Sequence, residues 1–311
     1  MFKGMWSLGS FTTLWLRYFP TLSGHGFANW ATLAPLATRH IRPHQSGKDR
    51  AQRRGAIGGC WSSKNVGESP HDVQTGRIVL DMQLVLLHAL PLNGTMWANE
   101  MELVPAGTIA PTLYSFGESI EDWARAVLDL TSQHDPLVVV GNSVGGSCAL
   151  EVARQAPGRV KAVILIGAKA GVRPEPGFRD EAIGTLRDHG MEGAWPKYWA
   201  GLFGANADPR VVEDARRLAC SLDIEDIVRG VKAFHDRHDL SGFARSWPKP
   251  LLVIRGDQDD TPGYADAAQT AAGPLGELHV IEDAGHYTSL EQPSKVQCLI
   301  RGVLASEDDY R

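Results

Sequence analysis

The stretch Pro136-Leu-Val-Val-Val-Gly141-Asn-Ser-Val-Gly145-Gly-Ser-Cys-Ala-Leu150 decides how this chain is read. Its first half is a short apolar run rich in β-branched residues, the pattern of a strand buried on both faces. Its second half is a small-residue helical pattern. Between them stands G-x-S-x-G, whose letters alone are weak evidence and whose context is not. A sharp strand-to-helix turn forces its central residue into a strained backbone conformation, and glycines two residues to either side relieve the crowding. Ser143 then projects its hydroxyl from the sheet edge, and the first helical N–H groups, that of Val144 among them, favour negative charge developing there. The plainer reading is a glycine-rich turn with an ordinary N-cap serine.

Working outward, similar apolar runs recur at Gln83–His88, Val160–Gly167 and Pro250–Arg255, and Glu277–Ile281 makes a fifth strand. Helical patterns lie between them at Ser119–Thr131, with Ser119 as the cap, at Ser143–Gln155 and at Gln292–Leu304. Strands alternating with helices of this length predict an α/β fold, a mostly parallel sheet covered on both faces. Residues 171–246 break the alternation. They carry helical patterns (Glu181–His189, Val211–Leu222, Ile224–His235) and no strand, and so read as a helical insertion between two sheet strands.

A serine hydroxyl is a poor nucleophile at neutral pH and needs a base and an orienting group within reach. Two later segments supply candidates, each after a strand and so at the carboxyl edge where open parallel sheets place their sites. Gly256-Asp-Gln-Asp-Asp-Thr-Pro262 offers Asp257, Asp259 and Asp260. Asp283-Ala-Gly-His286 offers His286.

Across residues 82–304 these features resemble the α/β-hydrolase family, whose order of motifs is also Ser, Asp, His. Position by position, the resemblance implies Ser143 as nucleophile, Asp259 as the acid in G-x-x-D and His286 as the base in G-H-x-x-x-x-E-x-P. It also makes the helical block 171–246 the family's cap, and 82–170 with 247–311 the core. The segment His88-Ala-Leu-Pro-Leu-Asn-Gly-Thr-Met-Trp97 is similar to the family's oxyanion loop, which implies the Leu90 N–H as a second donor beside that of Val144. Here Ala89 replaces the usual glycine. Pro111 to Ser119 is similar to the family's loop and turn before its first long helix. The two strands that usually open the family's sheet are missing after Met82, so a minimal sheet is expected.

The implied chemistry is cleavage of carboxylic esters of small substrates through an acyl-serine. The same elbow and triad also serve metal-free lactonases and carbon–carbon bond hydrolases, and a non-catalytic ligand-binding relative is the alternative of a different class. Serine rather than aspartate at the elbow argues against a dehalogenase or epoxide hydrolase. No H-x-H-x-D-H motif is present, so lactone cleavage on these residues would be metal-free, and no cofactor is expected. Trp195 and Trp199, four apart in the insertion, are candidates to line an acyl pocket or simply to pack. His235-Asp-Arg-His238 reads as a solvated helix end rather than a metal pair, and Arg173, Arg179 and Arg187 read as a wet face of the cap.

The bulk numbers set outer bounds. The 311 residues are 43% hydrophobic and 22% charged, with a net charge of −5, which gives no global reason to bind nucleic acid or anionic lipid. A small-molecule ester or lactone is the expected partner, with oligomeric state left open. No run of about 18 apolar residues suggests a membrane span. Cys60, Cys148, Cys220 and Cys298 form no C-x-x-C pair and read as free thiols, and the chain reads as cytoplasmic. Charge is uneven: residues 1–80 hold 10 Lys and Arg against 3 Asp and Glu, the remainder 21 against 33. Residues 1–81 show no sustained periodicity and are expected to be a non-domain extension, with Met82 standing where a compact domain begins on its first strand. Polar residues from Ser7 to Arg17 interrupt any signal-peptide core.

Overall fold

A computed structural model describes residues 82–172 and 175–308. The expected extension 1–81, together with Arg173 and Cys60, lies outside the described residues. Six parallel strands form one sheet in the order β2-β1-β3-β4-β5-β6: β1 Gln83–Leu87, β2 Thr108–Ile109, β3 Leu137–Asn142, β4 Val160–Ile166, β5 Leu251–Gly256 and β6 Gly276–Ile281. The five apolar runs of the sequence are five of these strands. The sixth, β2, is two residues long and pairs at the sheet edge through Leu84 with Thr108 and Val85 with Ile109, too short to leave a periodic signal.

Burial follows position in the sheet. Every residue of the central β3 is buried, as its unbroken apolar run requires, whereas the edge strand β6 is largely exposed. On the sheet faces lie α1 (Ile120–Asp129), α2 (Val144–Gln155), α7 (Tyr264–Thr270), α8 (Thr288–Glu291) and α9 (Pro293–Asp308). The expected cap of α1 is present: Ser119 Oγ accepts from Asp122 N at 3.1 Å, and Glu121 and Asp122 place negative charge on the first turn.

Between β4 and β5 the chain forms the expected helical insertion: α3 (Pro176–Tyr198), α4 (Pro209–Cys220), α5 (Ile224–Asp236) and α6 (Ser241–Ser246). Gly190, at φ 64° and ψ −171°, breaks α3 where the Glu181–His189 pattern ends, and a second helical segment continues to Tyr198. Chain order reverses between β1 and β3, so the loops after these two strands open onto the switch point of the sheet, where such folds hold ligands. Among the described residues no helix is long and apolar enough to cross a membrane.

Candidate active site

The turn after β3 is built as its glycines suggest. Ser143 sits at φ 55° and ψ −118°, a conformation unfavourable for an L-residue, and its N–H is held by Ile166 O at 2.9 Å. A Cβ at Gly141 would stand 2.1 Å from Gly145 O, and one at Gly145 would stand 2.2 Å from Leu87 O. Only hydrogen fits at either place, so the G-x-S-x-G spacing is a packing requirement of strand against helix.

The three aspartates after β5 separate by burial. Asp257 and Asp260 are exposed, and Asp257 caps the later loop through Ala284 N at 3.2 Å. Asp259 is buried and faces His286, whose Nδ1 lies 3.2 and 3.1 Å from its two carboxylate oxygens. Thr261 N donates to Asp259 Oδ1 at 2.8 Å, and buried Arg255 donates to the Asp259 main-chain carbonyl. An acceptor on Nδ1 fixes a tautomer in which Nδ1 carries the proton and Nε2 is free to accept one.

Several further residues hold this pair, and of them only Glu291 stands in a pattern that the sequence marked. Gly167, at φ 55°, passes so close that a Cβ there would lie 2.8 Å from His286 O and 3.2 Å from Asp259 Oδ2. Asn142 Nδ2 donates to Ile166 O at 2.9 Å and His286 O at 3.3 Å, tying the serine turn to the histidine loop. His286 N donates to Leu202 O at 2.8 Å, a carbonyl of the insertion. Glu291, the glutamate of the G-H-x-x-x-x-E pattern, accepts from Gly204 N at 2.8 Å and Gly285 N at 3.1 Å and so joins the insertion to the same loop. Burial pushes its carboxyl above the usual carboxylate range, against the opposing pull of those N–H groups.

The loop after β1 carries the departure at Ala89. That residue is not among the three described non-glycine residues with positive φ, so alanine is accommodated without strain there. Neighbouring groups hold the loop: Tyr287 Oη donates to Leu90 O at 2.8 Å, Tyr114 Oη donates to Leu92 O at 2.6 Å, and Ala89 N lies 3.3 Å from Met96 Sδ. His88 is fully buried. Its Nε2 accepts from Leu113 N at 2.9 Å, and burial pulls its pKa down to about 4, so it is a neutral strut of the loop. Among the described backbone hydrogen bonds none engages the N–H of Leu90 or of Val144.

A cavity of about 200 Å³ joins these parts. The sheet loops contribute Leu90, Ser143, Gly167, Thr261 and His286 to its wall, and the insertion contributes Phe178, Tyr198, Trp199, Phe234 and His235. The two tryptophans part company. Trp199 lines the cavity, while Trp195 is buried against Phe203, ring centroids 6.2 Å apart. Four-residue spacing stacks side chains only while the helix continues, and Trp199 caps α3 at φ −123°. The expected solvated pair also divides: His238 is exposed and meets Glu121 Oε1 at 2.8 Å, whereas His235 is half-buried in the cavity wall, because α5 ends at Asp236 and the chain continues extended through Arg237. Arg179 and Arg187 do lie on the insertion's outer side, but ion-paired, to Asp236 at 2.6 Å and Glu225 at 2.9 Å. Among the described residues no cluster of His, Cys, Asp and Glu is arranged to hold a metal ion.

Fold and site together define a protein with an open parallel sheet that presents a strained serine turn, a buried Asp–His pair and a small cavity at its carboxyl edge. Residues 84–296 match the alpha/beta hydrolase family, and the chain belongs to it. It is 32% identical over 278 residues to the 2-hydroxy-6-oxo-2,4-heptadienoate hydrolase of Pseudomonas putida, covering 76% of this chain and 92% of that one. It is 27% identical to the pimeloyl-[acyl-carrier protein] methyl ester esterase of Methylococcus capsulatus, covering 72% and 95%. Among solved structures, a thermophilic esterase from Thermogutta terrifontis superposes with a TM-score of 0.65 at 26% identity, over 72% of this chain and 90% of that one.

Proposed function

We propose that the protein is a serine hydrolase that cleaves carboxylic esters of small substrates through an acyl-serine intermediate. The observation that carries this reading is the buried His286–Asp259 pair opening onto a cavity that Ser143 also lines. In the first step Ser143 Oγ bonds to the ester carbonyl carbon while His286 Nε2 takes its proton, and Asp259 steadies the resulting imidazolium. The oxyanion is met by the N–H groups of Leu90 and Val144, both free of backbone partners among the described residues. Collapse breaks the bond to the alcohol, which leaves with the proton from His286. Water then adds to the acyl-serine, giving its proton to His286, and the acid departs as that proton returns to Ser143. The insertion 171–246 serves as a cap over the core formed by 82–170 and 247–311, and Trp199 borders the acyl group.

A second reading, carbon–carbon bond hydrolysis on the same three residues, is favoured by the Pseudomonas putida relative, which is matched over 92% of its length. A fluorophosphonate probe with peptide mapping tests what both readings share: folded protein is expected to be labelled at Ser143 and Ser143→Ala not at all. No labelling of the folded wild type would favour a binding role. A panel of neutral methyl and p-nitrophenyl esters beside a vinylogous 1,5-diketone separates the two hydrolytic readings.

A further inference from the structure

The wall of the cavity is electrically one-sided. Its cationic residues are Lys169 and Arg237, and no Asp or Glu side chain lines it. Lys169 is answered by Asp266, Nζ to Oδ2 3.0 Å. Arg237 has no such answer, for among the described residues it enters no ion pair. Asp239, the carboxylate that most influences it, is occupied by Ser241 N at 2.8 Å and Val172 N at 3.4 Å.

The guanidinium is nevertheless held in place. It lies 3.9 Å from the centroid of the Phe234 ring, Nη1 donates to Phe234 O and Nη2 donates to Gly171 O at 3.2 Å. Two of its five N–H donors are thus used and the rest remain. Burial lowers its pKa to about 10, which leaves it charged at neutral pH. His235 beside it is held below the usual histidine range, by burial first and then by the Arg237 charge, and adds no cation there. An oriented, partly desolvated cation without a counter-ion is unfavourable in the empty protein and favourable once an anion arrives. A planar fork suits a carboxylate in particular. Val231, Phe234, Trp199 and Leu202 make the rest of that side apolar, which fits a short hydrocarbon spacer.

We propose that Arg237 anchors a free carboxylate of the substrate, so that the acyl compound cleaved at Ser143 carries an anionic carboxyl group remote from its scissile carbonyl, as a monoester of a small dicarboxylic acid does. This rests on the reading of Ser143 as the nucleophile, and the test separates the two. Binding is measured by calorimetry to the Ser143→Ala protein, which needs no turnover, with monomethyl succinate, glutarate and adipate against methyl butyrate, valerate and hexanoate. At least one acid is expected to bind about tenfold or more tightly than its neutral counterpart. Adding Arg237→Met should abolish that preference, and adding Arg237→Lys should retain part of it. Equal binding of acid and neutral members, or a preference that survives Arg237→Met in protein shown folded by circular dichroism, overturns the proposal. The Ser143→Ala comparison decides even where Arg237→Met does not fold. Wild-type hydrolysis of the same six esters reads the other question: no turnover of any, with the acids still bound through Arg237, overturns ester hydrolysis and leaves the anion site standing.

Discussion

The sheet and the helical insertion obey different rules. In the sheet, position is dictated by burial: β1, β3, β4 and β5 are largely apolar runs packed on both faces, and the loops after these four strands and after the edge strand β6 bring Leu90, Ser143, Gly167, Asp259 and His286 to one edge. The insertion is held by amphipathic faces and surface ion pairs, such as Arg187 with Glu225 and Arg216 with Glu192. It reaches the site through side chains that line the cavity and through Leu202 O and Gly204 N on the histidine loop. The contrast teaches a division of labour: the loops of the sheet place Ser143, Asp259 and His286, and the insertion walls the cavity beside them.

The sharpest way to break this comparison is at the Asp–His pair. Asp259→Asn is expected to lower kcat by on the order of 10⁴ with the fold intact, since an amide no longer holds the right imidazole tautomer. Asp257→Asn and Asp260→Asn, at exposed positions, should change it little. Steady-state kinetics on the three variants check this, and the reverse ranking would move the acid.

Next in size is a core truncation. Leu86, fully buried in β1, should cost about 2–5 kcal/mol when changed to alanine, read as a drop in the urea midpoint. A similar loss is expected from acid acting on His88. Its folded pKa of about 4 lies below the unfolded value of 6.5, so the unfolded chain takes up a proton in that window and the folded chain does not. Its contribution is therefore fully present above pH 6.5 and is lost as pH falls toward 4, by about 3 kcal/mol in all. Unfolding curves of wild type and His88→Gln at pH 7.5 and pH 4.5 should differ by that slope. The smallest effect belongs to the insertion's surface: Arg187→Ala, at a half-exposed ion pair, should leave the urea midpoint unchanged within error.

Much of the sheet and the strained turn at Ser143 were legible because they rest on local, repeated patterns. Apolar runs marked five strands, and Gly141 and Gly145 marked the turn between a strand and a helix. The choice of Asp259 over its neighbours needed a resemblance, because three aspartates in four positions differ only in which way a turn points them. Short β2 gave no signal, since two residues have no period. Trp195 and Trp199 shared a helical spacing that the end of α3 breaks, and His235 shared a motif with His238 that the end of α5 at Asp236 divides.

By itself, then, the sequence determined the fold class, the alternation of strands and helices, and a serine turn that packing forces into a strained shape. These follow from periodicity and from steric limits that act within a few residues. Only the tertiary structure decided that Asn142, Gly167, Glu291 and Leu202 hold the histidine loop, that Trp199 and not Trp195 borders the cavity, and that Arg237 faces it without a carboxylate partner. Each of those depends on groups brought together from distant parts of the chain, and no local pattern encodes which charge will find a counter-ion once the chain is packed.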